Sequence, residues 1–191
     1  THVYDEDSGR VFPPYVIKSL ADCQVAIIGQ AFPYTPVANP KRFIPDWTFG
    51  INQQELQQLV NSIRNQHQPD LVVLLSHNGA DVDIKMAGAV TGIDVILGGH
   101  THDGIPQALQ IKNSLGVTLV TNAGSHGKFL GVMDLDIQQG KIRDYQYRLL
   151  PVFSNLIKAD EDMLAYIEKV RAPYLNFLGQ RSEERRVGEG W

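Results

Sequence analysis

At 191 residues, 43% hydrophobic and 20% charged, the chain has ordinary globular composition and enough length for one sizeable core. Its formal net charge of -4 and its scattered Lys and Arg offer no basic patch, which argues against nucleic acid as a partner. No apolar run approaches the ~20 residues needed to cross a bilayer, so membrane insertion is not expected either.

The first residue is Thr1 rather than Met and no signal peptide follows, which reads as the start of a fragment. Residues 1–14 are polar, with an acidic cluster at Asp5-Glu6-Asp7 and a break at Pro13-Pro14, and are expected to be loop and hairpin. Cys23 is the single cysteine; it excludes an internal disulfide and reads as a small buried apolar side chain. Residues 25–28 have the pattern of a short strand ending at Gly29. The prolines and aromatics of the loop at 30–36 read as packing, with contact to a site as the alternative.

Residues 52–66 carry the clearest helix signal. Leu56, Leu59, Val60 and Ile63 recur at three- and four-residue steps, Asn52 and Glu55 make a capping pair, and Pro69 closes the segment. Residues 71–75 are a continuous apolar run, the pattern of a strand buried on both faces, and residues 93–97 repeat it. Between them, residues 81–90 predict a weaker helix with Val82, Met86, Ala89 and Val90 facing inward. Strand, helix, strand at this spacing is a βαβ unit, whose right-handed crossover puts both strand ends on one edge of a parallel sheet.

Beyond this unit a loop leads to a buried-looking strand at 117–120, and residues 129–137 and 142–149 predict a β-hairpin turning at 138–141. Asp160 caps a last helix, whose stripe is Met163, Leu164, Ile167 and Val170 and which Pro173 kinks or ends. Residues 181–191 are charged without an apolar period, resemble a cloning scar or disordered tail, and are set apart from the fold.

Both apolar strands of the βαβ unit end in histidine, at Ser76-His77-Asn78-Gly79 and at Gly98-Gly99-His100-Thr101-His102. Ligands of open α/β sheets gather at the carboxyl ends of strands, so the three imidazoles are expected to converge on one crevice. Neutral imidazole suits zinc, manganese, iron, nickel and copper, and three of them leave positions for carboxylates and water. Metal-assisted hydrolysis of a phosphorus or sulfur ester is the chemistry such a site supports. Gly98 and Gly99 are expected to take positive φ or to permit a close backbone approach. Asn78 and Asp103 flank the imidazoles, and Asp103 is expected to orient one of them, whereas Asp81 and Asp83 read equally well as helix-start residues. His2, His67 and His126 lack the pattern and are expected at the surface.

These segments, with Gly92-Ile93-Asp94-Val95-Ile96, Asn122-Ala123-Gly124 and Gly127-Lys128-Phe129-Leu130-Gly131, resemble the second half of the metallophosphoesterase domain of the 5'-nucleotidase family. Within it, the strings FGINQQEL, LLSHNGADVDIKMA, GGHTHDGIP and IGQAFPYTP most resemble the SoxB-type sulfate thiohydrolases of bacterial thiosulfate oxidation. The resemblance covers residues 11–178. It implies an α/β fold, the C-terminal half of a four-layered α/β sandwich, over residues 1–154, with a connector helix at 155–180 leading toward a further C-terminal domain. It also implies two divalent metal ions, manganese by type, in the periplasm. His77 and His100 resemble ligands of one ion and His102 a ligand of the other. The implied substrate is a sulfonate carried on a cysteine of the SoxYZ carrier protein, hydrolysed to release sulfate.

The family's Asp-x-His, bridging Asp and Gly-Asn-His segments, with the catalytic histidine, are expected upstream of Thr1. The chain alone is therefore expected to bind metal weakly and to turn over nothing. Two other readings stay open: a 5'-nucleotidase-like phosphoesterase, and a non-catalytic metal-binding module.

Overall fold

The computed structural model describes residues 3–44 and 46–179; His2 and the tail at 181–191 lie outside the described residues. The chain divides into two compact units at residues 152 and 153.

The first unit is built on a six-stranded mixed sheet. After β1 (Val3–Tyr4), β2 (Tyr15–Leu20) turns into β3 (Cys23–Gln30), with which it pairs antiparallel. The proline-rich stretch after β3 forms the four-residue α1 (Thr35–Ala38) and a 3-10 turn, and β4 (Thr48–Phe49) returns to pair with β1. The periodic segment is α2 (Gln53–His67). Asn52 caps it by accepting from the Glu55 backbone N–H at 3.1 Å, and Gln68 ends it in the left-handed region at φ 46°. Then follow β5 (Leu71–Ser76), α3 (Ala80–Ala89) and β6 (Val95–Gly98), the expected βαβ unit. The sheet closes with β7 (Leu109–Asn113) and β8 (Gly116–Asn122), in the order β2-β3-β5-β6-β8-β7. β3, β5, β6 and β8 are parallel, and only the edge strands run the other way.

The core lies between one face of this sheet and α2 and α3. Ala26, Ile28, Val72, Leu74, Ile96 and Val120 meet Leu56, Val60, Ile63, Met86 and Ala87, all with less than 5% exposure. Because side chains alternate along a strand, the same rows continue to Gln30, Ser76 and Asn122, so the apolar layer ends in buried polar residues at the carboxyl edge. β9 (Phe129–Gln138) and β10 (Lys141–Pro151) form the expected hairpin, with a register shift between Ile142 and Asp144. The second unit, described through residue 179, holds α4 (Glu161–Arg171), a 3-10 turn at Ala172–Tyr174 and α5 (Leu175–Gly179). Asp160 caps α4 through the Met163 N–H at 2.8 Å, and the helix breaks next to Pro173 as expected.

Three expectations need correction. β2 and β7 stand where no strand was expected, because each is an edge strand with alternate residues in water and is held by its neighbour rather than by an apolar run. The inward stripe of α3 is Ala80, Asp83, Met86 and Ala87, continued by the C-cap Val90; Val82 is half-buried and Ala89 exposed, because the stripe runs through Asp83, which an apolar pattern leaves out. Cys23 opens β3 half-exposed rather than buried.

Candidate metal centre

β5 and β6 are adjacent and parallel, with Leu74 opposite Ile96 and Leu75 opposite Leu97. His77 and His100 therefore emerge at the same edge. Their rings stand 5.3 Å apart at 68°, with His77 exposed and His100 half-buried. The His77 N–H donates to the Gln30 carbonyl at 3.0 Å, which continues the β3–β5 ladder one step and fixes where the imidazole leaves the sheet.

His100 sits at the centre of a three-residue γ-turn: the Thr101 N–H donates to the Gly99 carbonyl at 3.0 Å and His100 has φ 76°. This is the strained form of the turn, and a non-glycine residue held there costs on the order of 1–3 kcal/mol. His102 at φ 60° and His126 at φ 57° share the left-handed region. The expected positive φ thus falls on histidines, and neither Gly98 nor Gly99 has it. Those glycines serve close approach instead. A Cβ at Gly98 would lie 2.6 Å from Asp83 Oδ2 and 3.1 Å from the Thr121 carbonyl, and one at Gly99 would lie 3.2 Å from His77 Nδ1.

His102 is exposed and meets His126 edge-on, with centroids 5.6 Å apart. His126 is at the surface as expected, yet it forms a second imidazole pair beside the first; its Nδ1 lies 2.9 Å from Ser125 Oγ. His67 is also exposed and hydrogen-bonds Tyr15 Oη at 2.9 Å, away from the rim. Phe32, in the loop after β3, stacks flat on His100 at 3.7 Å and stands edge-on to His77 at 6.4 Å. That loop makes the site contact that its prolines and aromatics left as the alternative reading.

Asp103 accepts from Thr101 Oγ1 at 2.5 Å, and Thr101 Oγ1 accepts in turn from the Ala80 N–H at 3.2 Å. It steadies the loop between the two histidines and the start of α3. Asn78 is buried, and its side-chain amide has no partner, as is also true of Gln30 and Asn122. Asp83 is fully buried: Ser76 Oγ donates to Oδ1 at 2.5 Å, while Oδ2 has no partner. Burial pushes its pKa up to about 6, against the lowering by the Ser76 hydroxyl and by the Asn78 amide, which faces the carboxylate without reaching hydrogen-bond geometry. Sequence reading notes Asp83 but ranks it below Asp103, because a carboxylate early in a helix has a ready explanation as a helix-start residue. Asp81 is exposed.

Imidazole nitrogens and orphaned amide oxygens are donors that a divalent ion accepts. Among the described residues, however, no group of three or more His, Cys, Asp or Glu side chains stands close enough to hold a metal ion. The donors present fit part of a coordination shell and do not complete one.

A parallel α/β sheet that delivers histidines from adjacent strand ends, with a glycine-rich close approach beneath them, places groups able to bind a ligand at the edge where α/β sheets gather their ligands. No protein-family profile matches the chain. It is 32% identical over 140 residues to the uncharacterized metallophosphoesterase YunD of Bacillus subtilis, a match covering 72% of this chain and 28% of that one. Among solved structures it superposes on the sulfate thiohydrolase SoxB of Thermus thermophilus with a TM-score of 0.80 and 30% identity, over 92% of this chain and 32% of that one. A 5'-nucleotidase precursor from Thermus thermophilus matches at a TM-score of 0.74 and 27% identity, over 90% of this chain and 37% of that one. Together these relatives support the 5'-nucleotidase/metallophosphoesterase superfamily for this chain, and the mixed α/β fold matches theirs. The chain spans about a third of the length of these relatives.

Proposed function

We propose that this chain works as part of a metal-dependent hydrolase of that superfamily, and specifically of a sulfate thiohydrolase. The observation that carries the hydrolase reading is the His77–His100 pair at the ends of adjacent parallel strands. His77, His100 and His102 would hold divalent metal, manganese by resemblance. When bound, the metal supplies Lewis-acid polarisation of the scissile group and acidifies water. This chain's own contribution is to hold the imidazoles: the γ-turn aims His100, the Phe32 ring limits its rotation, and the Asp103–Thr101 link steadies the approach to His102.

The substrate under this reading is a sulfonate on a cysteine of the SoxYZ carrier, released as sulfate in thiosulfate oxidation. The superposition on SoxB supports it, as does the resemblance of the motif strings to that branch. The periplasm is the compartment by the same resemblance; no helix among the described residues is long and apolar enough to cross a membrane. The superposition on a 5'-nucleotidase precursor favours a second reading, in which the substrate is a nucleotide phosphate ester.

The deciding assay uses the segment within a complete catalytic domain, loaded with manganese. Sulfate release from a cysteine S-sulfonate on a carrier peptide, without phosphate release from nucleotides, is the expected result. The reverse pattern makes it a nucleotidase. Manganese binding with neither activity moves the chain to the non-catalytic module.

A further inference from the structure

Asp83 has little reason to exist on packing grounds. It lies at the centre of the inward face of α3, with 0% exposure, in line with Ala80, Met86, Ala87 and Val90. An aliphatic residue there would extend the core beneath it. A buried carboxylate instead carries a desolvation cost unless both oxygens are hydrogen-bonded, and here only Oδ1 is.

Its contacts reach both histidine-bearing strand ends. On β5, Ser76 Oγ donates to Oδ1 at 2.5 Å and accepts from the Asn78 N–H at 3.2 Å, so carboxylate, hydroxyl and backbone amide bracket His77 from both sides. On β6, Oδ2 fills the space a side chain at Gly98 would need, two residues before His100. Around it lies a buried polar row: Gln30 is the register partner of Ser76, and Asn122 that of Gly98. The carboxylate therefore sits between the apolar core and the imidazoles, touching both strand ends within one or two residues of them.

We propose that Asp83 is a positioning residue, which ties the ends of β5 and β6 together so that His77 and His100 face each other. This deepens the hydrolase reading, on which it rests for the importance of the pair, while the geometry it concerns requires no metal. Such a link needs an acceptor for the Ser76 hydroxyl on one side and a small planar group packed against Gly98 on the other; alanine supplies neither, whereas asparagine supplies both. It also explains glycine at position 98, where any Cβ would push the carboxylate or the β8 carbonyl away.

The test is nuclear magnetic resonance on the 191-residue chain, reading the NOE between the His77 and His100 ring protons. The Tyr15–His67 ring contact, at 5.6 Å elsewhere on the fold, serves as an internal control. Asp83→Ala and Ser76→Ala are each expected to lose the His77–His100 NOE while keeping the control. Asp83→Asn, which still accepts from Ser76, is expected to retain both. Retention of the NOE in folded Asp83→Ala or in Ser76→Ala overturns the proposal, and so does its absence from the wild-type chain. If Asp83→Ala does not fold, Ser76→Ala decides alone. A parallel manganese-binding measurement on the segment within the complete catalytic domain separates the two ideas: no binding there defeats the metal reading and leaves the NOE result to judge Asp83.

Discussion

The Phe32 ring lies against the His100 imidazole, with centroids 3.7 Å apart and planes 25° from parallel. Phe32 belongs to the loop after β3, two residues past Gln30, and Pro33 and Pro36 restrict the backbone that carries it. Stacked aromatic pairs contribute about 0.5–1.5 kcal/mol beyond area burial. Phe32→Ala is therefore expected to cost about 1 kcal/mol in urea denaturation. It should also release His100 selectively, seen as altered ring line widths at His100 with His67 unchanged. Equal behaviour of the two rings would show that the stack does not restrain the site.

Asp83 makes stability depend on pH in a defined direction. Its folded pKa is raised to about 6 from 3.8, chiefly by burial, so the folded state binds a proton more tightly than the unfolded one. The stabilisation from the protonated form is fully present below pH 3.8 and is lost as pH rises through about 6. Its full size is about 3 kcal/mol. Unfolding free energies from pH 4 to 7 for wild type and Asp83→Asn should thus diverge, with the variant gaining on wild type as pH rises. Parallel profiles would show that the carboxylate is not desolvated as the structure has it.

Much of this fold is legible because its signals are local. The cap at Asn52 and the three- and four-residue steps of Leu56, Val60 and Ile63 define α2 within one residue, and the apolar runs before His77 and His100 define the central parallel strands. β2 and β7 are not legible, since Tyr15–Leu20 and Leu109–Asn113 are half-exposed and extended only because β3 and β8 pair with them. At the site, sequence places the imidazoles on one rim, but the γ-turn at His100 and the Phe32 stack arise from long-range packing with no local signature. Asp83 is hidden for a different reason. A helical pattern scores a carboxylate as outward-facing, and here the buried polar edge around Ser76 holds it inward.

The opposite edge of the sheet carries a polar lock that should affect stability and leave the histidines alone. Arg64 Nη2 donates to Asp94 Oδ2 at 2.5 Å, and the Val72 N–H donates to the same oxygen at 2.6 Å, so α2, β5 and the start of β6 meet at one carboxylate. Burial raises the Asp94 pKa, opposed by the Val72 amide and by Arg64. Arg64 also donates to the Gly92 carbonyl at 3.0 Å and the Pro69 carbonyl at 3.0 Å. Arg64→Ala removes all of these and leaves the carboxylate with one backbone donor. It is expected to cost about 2–3 kcal/mol, below the figure for a fully buried pair because both side chains keep some solvent contact. Asp94→Asn keeps an acceptor for Val72 and leaves Arg64 its carbonyls, so about 1 kcal/mol is expected. Urea midpoints at pH 7 test the order, and equal losses would mean that the carboxylate, not the carbonyl bonds, dominates the lock. Asp94 lies just before Val95 and His100 two residues past Gly98, at opposite ends of β6. Both variants should therefore keep the His77–His100 ring NOE, while Ser76→Ala loses it.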